Sequence, residues 1–419
     1  MTSGHPSMNH GHPIVDHRRS ATALLAAAIA VVCLLLTAGC ANIGTISESA
    51  LESCEVPTAS ETPNPPKLPN VTRANLKDPR RITGPTTAYT RSDQIIPISN
   101  APFEQQKLPV TVTSADGPRQ TVTDTTRILA LNQNGGLAAA VYALGFGCNL
   151  VGRDTATGSS GMDRLPKVTA NGMDLNAEAI LALEPTVIIT DTSIGPYDVQ
   201  MQLRQSGVPV VFVPLTSNDG VAGVGRQIQA VADALGVTDL GRKLVTRTNS
   251  EISQTIQTIN RTMAPTEESR KPRIVFLYVR GKSIYYWFGE GSGADSLIQS
   301  IGANDVAKEV GFKGMAATNA EALIKAKPDV ILAMTLGVQS AGGIDGLLDL
   351  PGIKETPAGQ HRRVVDMSDY EIMSFGPQTA QVLAALATAV YAPERSYQPE
   401  HEPEAVEKRL DEMKQENTK

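Results

Sequence analysis

The stretch LNAEAILALEPTVIITDT at 175–192 returns as TNAEALIKAKPDVILAMT at 318–335, with Glu178 and Glu321 set 143 residues apart. Both copies reach a proline seven residues after the glutamate, Pro185 or Pro328. Each then enters an apolar, β-branched run, Val187-Ile188-Ile189 or Val330-Ile331-Leu332. That separation is too long for a solenoid repeat and suits two similar lobes. The pattern predicts, in each lobe, an N-capped amphipathic helix ended by proline and followed by a buried strand. A cleft between two such lobes is where a small ligand would sit.

The rest of the chain fits that reading. From Arg127 strand-like runs alternate with helical ones: RILAL, GGLAAAVYALGFG, NLVGRDT, the first copy of the echo, QMQLRQSG and VPVVFVP. Such alternation predicts an α/β fold with parallel strands. A helical stretch over 224–263 carries Leu240, Leu244, Val245, Ile252, Ile256 and Ile259 on one face. A second α/β series opens at Arg273 with RIVFLYV. The expected architecture is two Rossmann-like lobes, at 108–223 and 264–391, joined by one long connecting helix, with the ligand cleft between them. A hairpin is predicted around Ala115-Asp116-Gly117.

The two ends read differently. His17-Arg18-Arg19 precede an apolar run from Ala21 to Leu36 that ends Thr37-Ala38-Gly39-Cys40, the parts of a signal segment over 1–39. Cys40 after Ala-Gly resembles the lipobox of bacterial lipoproteins, which implies lipidation there and a membrane anchor on the extracellular face. Residues 40–107 contain PTASETPNPPKLP and read as a Pro-stiffened tether. Residues 392–419 form a charged tail. Cys54 and Cys148 remain in the mature chain, where an oxidising compartment permits a disulfide; two buried thiols are the alternative.

Composition removes several function classes. The net charge of −6 opposes nucleic-acid binding. Of six histidines, four lie at positions 5–17, leaving His361 and His401, too few for a zinc or manganese capture site. Gly158-Ser159-Ser160 lacks the setting of a nucleophile. The run GEGSGADS at 289–296 lacks the Lys-Ser/Thr of a phosphate loop and predicts a turn into a helix capped by Ser292 or Asp295. The chain therefore reads as a binding protein, not an enzyme.

Aligning RILALNQN at 127–134 on RIVFLYVR at 273–280 sets Asn132 opposite Tyr278 and Asn134 opposite Arg280. Two residues apart at a strand's carboxyl end, Tyr278 and Arg280 project together into ligand-binding territory. A guanidinium beside a phenol favours phenolate, a hard ligand suited to ferric iron.

RILALNQNGGLAAAVYALGFG, GRDTATGSS, LPKVTANGMDLNAEAILALEP, FLYVRG, SIYYWFGEGSGADSLI and MTLGVQSAGGIDGLLDLPGI, over roughly 108–391, resemble the hemin-binding lipoproteins of bacterial haem ABC importers, of the HmuT type. The resemblance implies a two-lobed protein that captures hemin and hands it to an ABC permease dimer with its ATPase. It makes Tyr278 the expected axial iron ligand and Arg280 its support. Where such proteins often carry a histidine, this chain has Met173, a weak sixth ligand or an apolar contact. Met315 and Met334 are expected to line the porphyrin slot. Glu178 and Glu321 match the carboxylates that dock on the permease in similar proteins. A ferric siderophore or cobalamin is the alternative cargo within this class; a surface hydrolase or structural lipoprotein is the alternative outside it.

Overall fold

The computed structural model describes residues 54–399 apart from residue 171. The signal segment, Cys40 and residues 400–419 of the tail lie outside the described residues. The segment 56–107 is not a free spacer. Ile82, Ala88, Ile95 and Ile98 are buried in it, and β1 (Thr86–Ala88) pairs in parallel with Val365–Met367 of the C-terminal lobe. Buried Arg247 of the connecting helix donates to the carbonyls of Ser60 (2.5 Å), Ile96 (2.7 Å) and Pro97 (3.2 Å). The backbone N–H of Asn64 donates to the Glu251 carboxylate at 2.9 Å. Prolines withhold backbone donors and forbid regular elements, yet isolated isoleucines still gain by leaving water. The result is a strap. Scattered apolar residues without a period gave the sequence reading no element to find.

The predicted hairpin forms as β2 (Val110–Thr113) and β3 (Arg119–Val122). In the N-terminal lobe β4 (Ile128–Leu131) carries the first parallel strand. A two-residue pair, β5 (Thr169–Ala170) and β6 (Asp174–Leu175), forms a small projecting hairpin. β7 (Val187–Thr190) and β8 (Val210–Phe212) complete a parallel sheet of order β4-β7-β8. All of its residues are buried, as the unbroken apolar runs require of a sheet covered on both faces.

The connection between the lobes departs from a single helix. It consists of Val224–Ala234 and Thr238–Thr262, interrupted at Gly236, whose φ is +72°. A side chain at Gly236 would meet the Lys107 carbonyl at 2.5 Å, so glycine lets the strap cross here. The second helix spans about 38 Å at 1.5 Å per residue.

The C-terminal sheet has seven strands. β9 (Arg273–Arg280) is central, β10 (Ile284–Phe288) returns antiparallel, and β11 (Asn304–Asp305) pairs with the start of β9. β12 (Met315–Ala317), β13 (Val330–Met334) and β14 (Val364–Met367) complete the order β1-β14-β13-β9-β10-β12. The pairing register separates two faces. Phe276, Tyr278, Phe288, Met315, Leu332, Met334 and Met367 share one; Leu277, Val279, Trp287, Ile331 and Ala333 share the other. The helix after the Gly-rich run, Ala294–Ser300, starts behind Gly293, and of the two expected caps it is Ser292 whose hydroxyl accepts the first helical N–H, that of Ala294, at 3.3 Å. Asp295 instead accepts from the Gly291 N–H at 3.1 Å.

Candidate ligand site and its relatives

Tyr278 stands near the carboxyl end of β9, half-buried, in an aromatic group. The Phe288 ring meets it edge-on with centroids 6.2 Å apart, and the Tyr286 ring lies tilted at 6.5 Å. Both neighbours follow from register, since β10 turns back on β9 and sets Tyr286 directly opposite Tyr278. Met315 pairs with Phe288 across β12 and is 56% exposed; Met334 continues the same face from β13. The sheet thus gathers Tyr278, Arg280, Met315 and Met334 on one face. That surface is apolar, aromatic and soft, suited to a flat conjugated ring.

Arg280 is held in place. Its guanidinium lies 4.6 Å from the centre of the Tyr278 ring, within cation–π range. One nitrogen donates to the Val279 carbonyl at 2.9 Å and the other to the Asp369 carboxylate at 2.9 Å. Asp369 also accepts from the Leu336 N–H at 2.9 Å. Burial pushes the Asp369 carboxyl above its ordinary value, and the Arg280 charge opposes that rise. Asp369 went unnoticed in the sequence. Its signal was faint: a polar run, Asp366-Met367-Ser368-Asp369, directly after the apolar start of a parallel strand.

Met173 belongs to the other lobe, on the tip between β5 and β6, and is 43% exposed. Asn132, the counterpart of Tyr278, is buried instead. Its N–H donates to Asp154 at 3.0 Å and its amide donates to Asn134 at 2.6 Å. Burial pushes the Asp154 carboxyl up to about 6, with the Asn132 and Thr157 donors working against it. This cluster ties the loop after β4 to the 152–160 loop.

The echo is structural as well as sequential. The helices Ala177–Ala182 and Ala320–Ala326 are capped by Asn176, which accepts from the Ala179 N–H, and Asn319, which accepts from those of Glu321 and Ala322. Each ends at a left-handed, non-glycine residue before its proline, Glu184 with φ +45° and Lys327 with φ +48°. Position by position, 177–185 and 320–328 have the same sequence of burial states. Glu178 and Glu321 are both exposed in the first turn. Cys54 and Cys148 are each disulfide-bonded.

Among the described residues no group of three or more His, Cys, Asp or Glu could hold a metal ion, and no helix is long and apolar enough to cross a membrane. Porphyrin-bound iron needs less from a protein, because the macrocycle supplies four nitrogens and axial ligands complete the sphere.

Comparison with known proteins places this geometry. Residues 134–371 match the family model described as periplasmic binding protein. No curated protein sequence matches the chain. A solved heme-binding protein, HmuT, shares 35% identity over 75% of this chain and 100% of its own, with a TM-score of 0.70. Its solved variants replace a histidine, a tyrosine, and an arginine two positions beyond that tyrosine by alanine. The periplasmic heme-binding protein RhuT from Roseiflexus sp. RS-1, in apo form, shares 31% identity over 64% of this chain and 100% of its own, with a TM-score of 0.57. BhuT, solved with two hemes, shares 29% over 63% and 97%, with a TM-score of 0.55. Such proteins are transport components and not enzymes. With a matching family model over more than half its length and a solved relative at 35% identity, the chain belongs to the periplasmic binding protein family.

Proposed function

We propose that this protein captures hemin and delivers it to an ABC permease. The observation that carries the reading is the trio of Tyr278, Arg280 and Asp369 on an apolar, aromatic sheet face. It stands beside the tyrosine and arginine of the same spacing altered in the solved heme-binding relative. Tyr278 supplies the phenolate that ligates ferric iron. Arg280 compensates the phenolate charge, and Asp369 fixes the guanidinium so that it cannot swing to solvent. Phe288, Met315 and Met334 form the wall against the porphyrin. Met173 approaches from the other lobe as a weak sixth ligand or an apolar contact.

The rest of the assignment extends from this site. Lipidation at Cys40 holds the protein at the extracellular face of the membrane. Glu178 and Glu321, one on each lobe, dock on the permease dimer.

Hemin titration of the purified protein tests the reading. A sharp Soret band with tyrosinate charge-transfer absorption is expected, and Tyr278→Ala loses that signature. Met173→Ala leaves the tyrosinate band and shifts the spectrum only if the thioether touches iron. Binding of cobalamin or a ferric siderophore with no response to hemin would overturn the haem assignment.

A further inference from the structure

The two echo helices share more than their carboxylates. Three residues after each glutamate, on the same helical face, stands an exposed aliphatic side chain: Leu181, 37% exposed, and Ile324, 39% exposed. Ile180 and Leu323, their immediate neighbours, are fully buried and anchor each helix, so neither Leu181 nor Ile324 is needed for packing. Neither Glu178 nor Glu321 forms an ion pair or hydrogen bond with another described residue through its side chain.

Topology sets both pairs at the ligand end of their lobes. Leu175, at the end of β6 just before the first helix, donates its N–H to the Gly195 carbonyl, past the carboxyl end of β7. Thr318, before the second, donates to the Tyr285 carbonyl, beside the carboxyl end of β9. The flanks do not match: Ala182 and Glu184 in one copy stand where Lys325 and Lys327 stand in the other. Apart from the capping Asn176 and Asn319, whose side chains are taken up by backbone N–H groups of their own helices, the exposed features of these helices that recur in both lobes are the carboxylate and the aliphatic side chain.

From this recurrence we infer that Leu181 and Ile324 are a matched pair of apolar anchors. Each enters a socket on one of two symmetry-related membrane subunits, beside the basic group that receives Glu178 or Glu321. The occupant is a two-fold permease because the same charged and apolar pair is offered twice, once per lobe, and a single asymmetric partner has no use for the repetition. The carboxylates steer and orient, while the desolvated aliphatic groups hold the complex. This rests on the docking role proposed above for the two glutamates.

The test uses the full-length protein in cells of its source organism lacking the resident copy, with uptake of iron-labelled hemin as the readout. Leu181→Ser and Ile324→Ser are each expected to lower uptake by roughly tenfold, as loss of a central interface anchor does, and by similar factors. Their hemin titrations should match the parent protein. Phe103→Ser, at a comparably exposed site outside both helices, should leave uptake unchanged. A photo-crosslinking amino acid at position 181 or 324 should capture the membrane-embedded permease subunit; capture of lipid or a second copy of this chain overturns the inference. If the double apolar variant transports normally while Glu178→Gln with Glu321→Gln is impaired, the anchors are refuted and the carboxylate docking stands. If both double variants transport normally, docking through these helices fails as well. An effect at one lobe only would refute the matched pair.

Discussion

The Arg280 guanidinium is held from three directions, by the Val279 carbonyl, the Asp369 carboxylate and the π face of Tyr278. The tyrosine and arginine were legible in the sequence because alternate residues at a strand end project together. Asp369 was not, because its partnership spans 89 residues and depends on how β9 and β14 lie in the sheet. Asp305 offers a separate residue-scale check. Burial pushes its carboxyl up to about 6, and the nearby carboxylates of Asp295, Glu309 and Glu290 push the same way. A folded value above the unfolded one means that the folded state binds more protons between about pH 4 and 6, so stability falls as pH rises through that window. Above it the penalty is constant, at most about 3 kcal/mol for a rise from the ordinary carboxylate value to about 6. Asp305→Asn keeps an oxygen to accept the Ala307 N–H and removes the charge. We expect a flatter pH dependence from 4 to 6 and a gain of about 1–2 kcal/mol at neutral pH by urea denaturation. Equal slopes for the two proteins would show that burial at Asp305 is not what shifts it.

At the scale of elements, strands with unbroken apolar runs and the two Asn-capped helices could be read directly, since local chemistry decides them. The helix break at Gly236 could not, because the crossing strap that demands a glycine is more than a hundred residues away in sequence. Gly293 is similar. It has φ +87°, and a Cβ there would stand 2.5 Å from the Ser217 carbonyl and 2.8 Å from the Phe375 ring. The Val221 N–H donates to Ser296 at 2.7 Å in the same junction between the connecting segment and the C-terminal lobe. Gly293→Ala is therefore expected to cost about 2–4 kcal/mol, from backbone strain and steric overlap together. An unchanged midpoint in chemical denaturation would mean that the junction opens easily.

For the whole molecule, the segment 56–107 fastens parts that the sequence left separate. The Ile98 N–H donates to Ala143 in the N-terminal lobe, and Gln378 of the C-terminal lobe donates to the Asp93 carbonyl. Arg247 is the main clasp. Arg247→Met strands three strap carbonyls and removes the positive partner of buried Glu251, at 4.0 Å, so a loss of about 2–4 kcal/mol is expected. Limited proteolysis should then cut within 56–107 while the two lobes persist. Resistance equal to that of the parent would assign the clasp to the buried isoleucines instead.

Strand β1 adds a consequence for biogenesis. Thr86 pairs with Val365, so a strand made early finds its partner only after 279 further residues have been synthesised. Until then its edge is open and the isoleucines of the strap around it lack part of their cover, a sticky leader awaiting its partner strand. Chains interrupted before β14 would carry this leader loose, a grip for chaperones and proteases that finished molecules no longer offer.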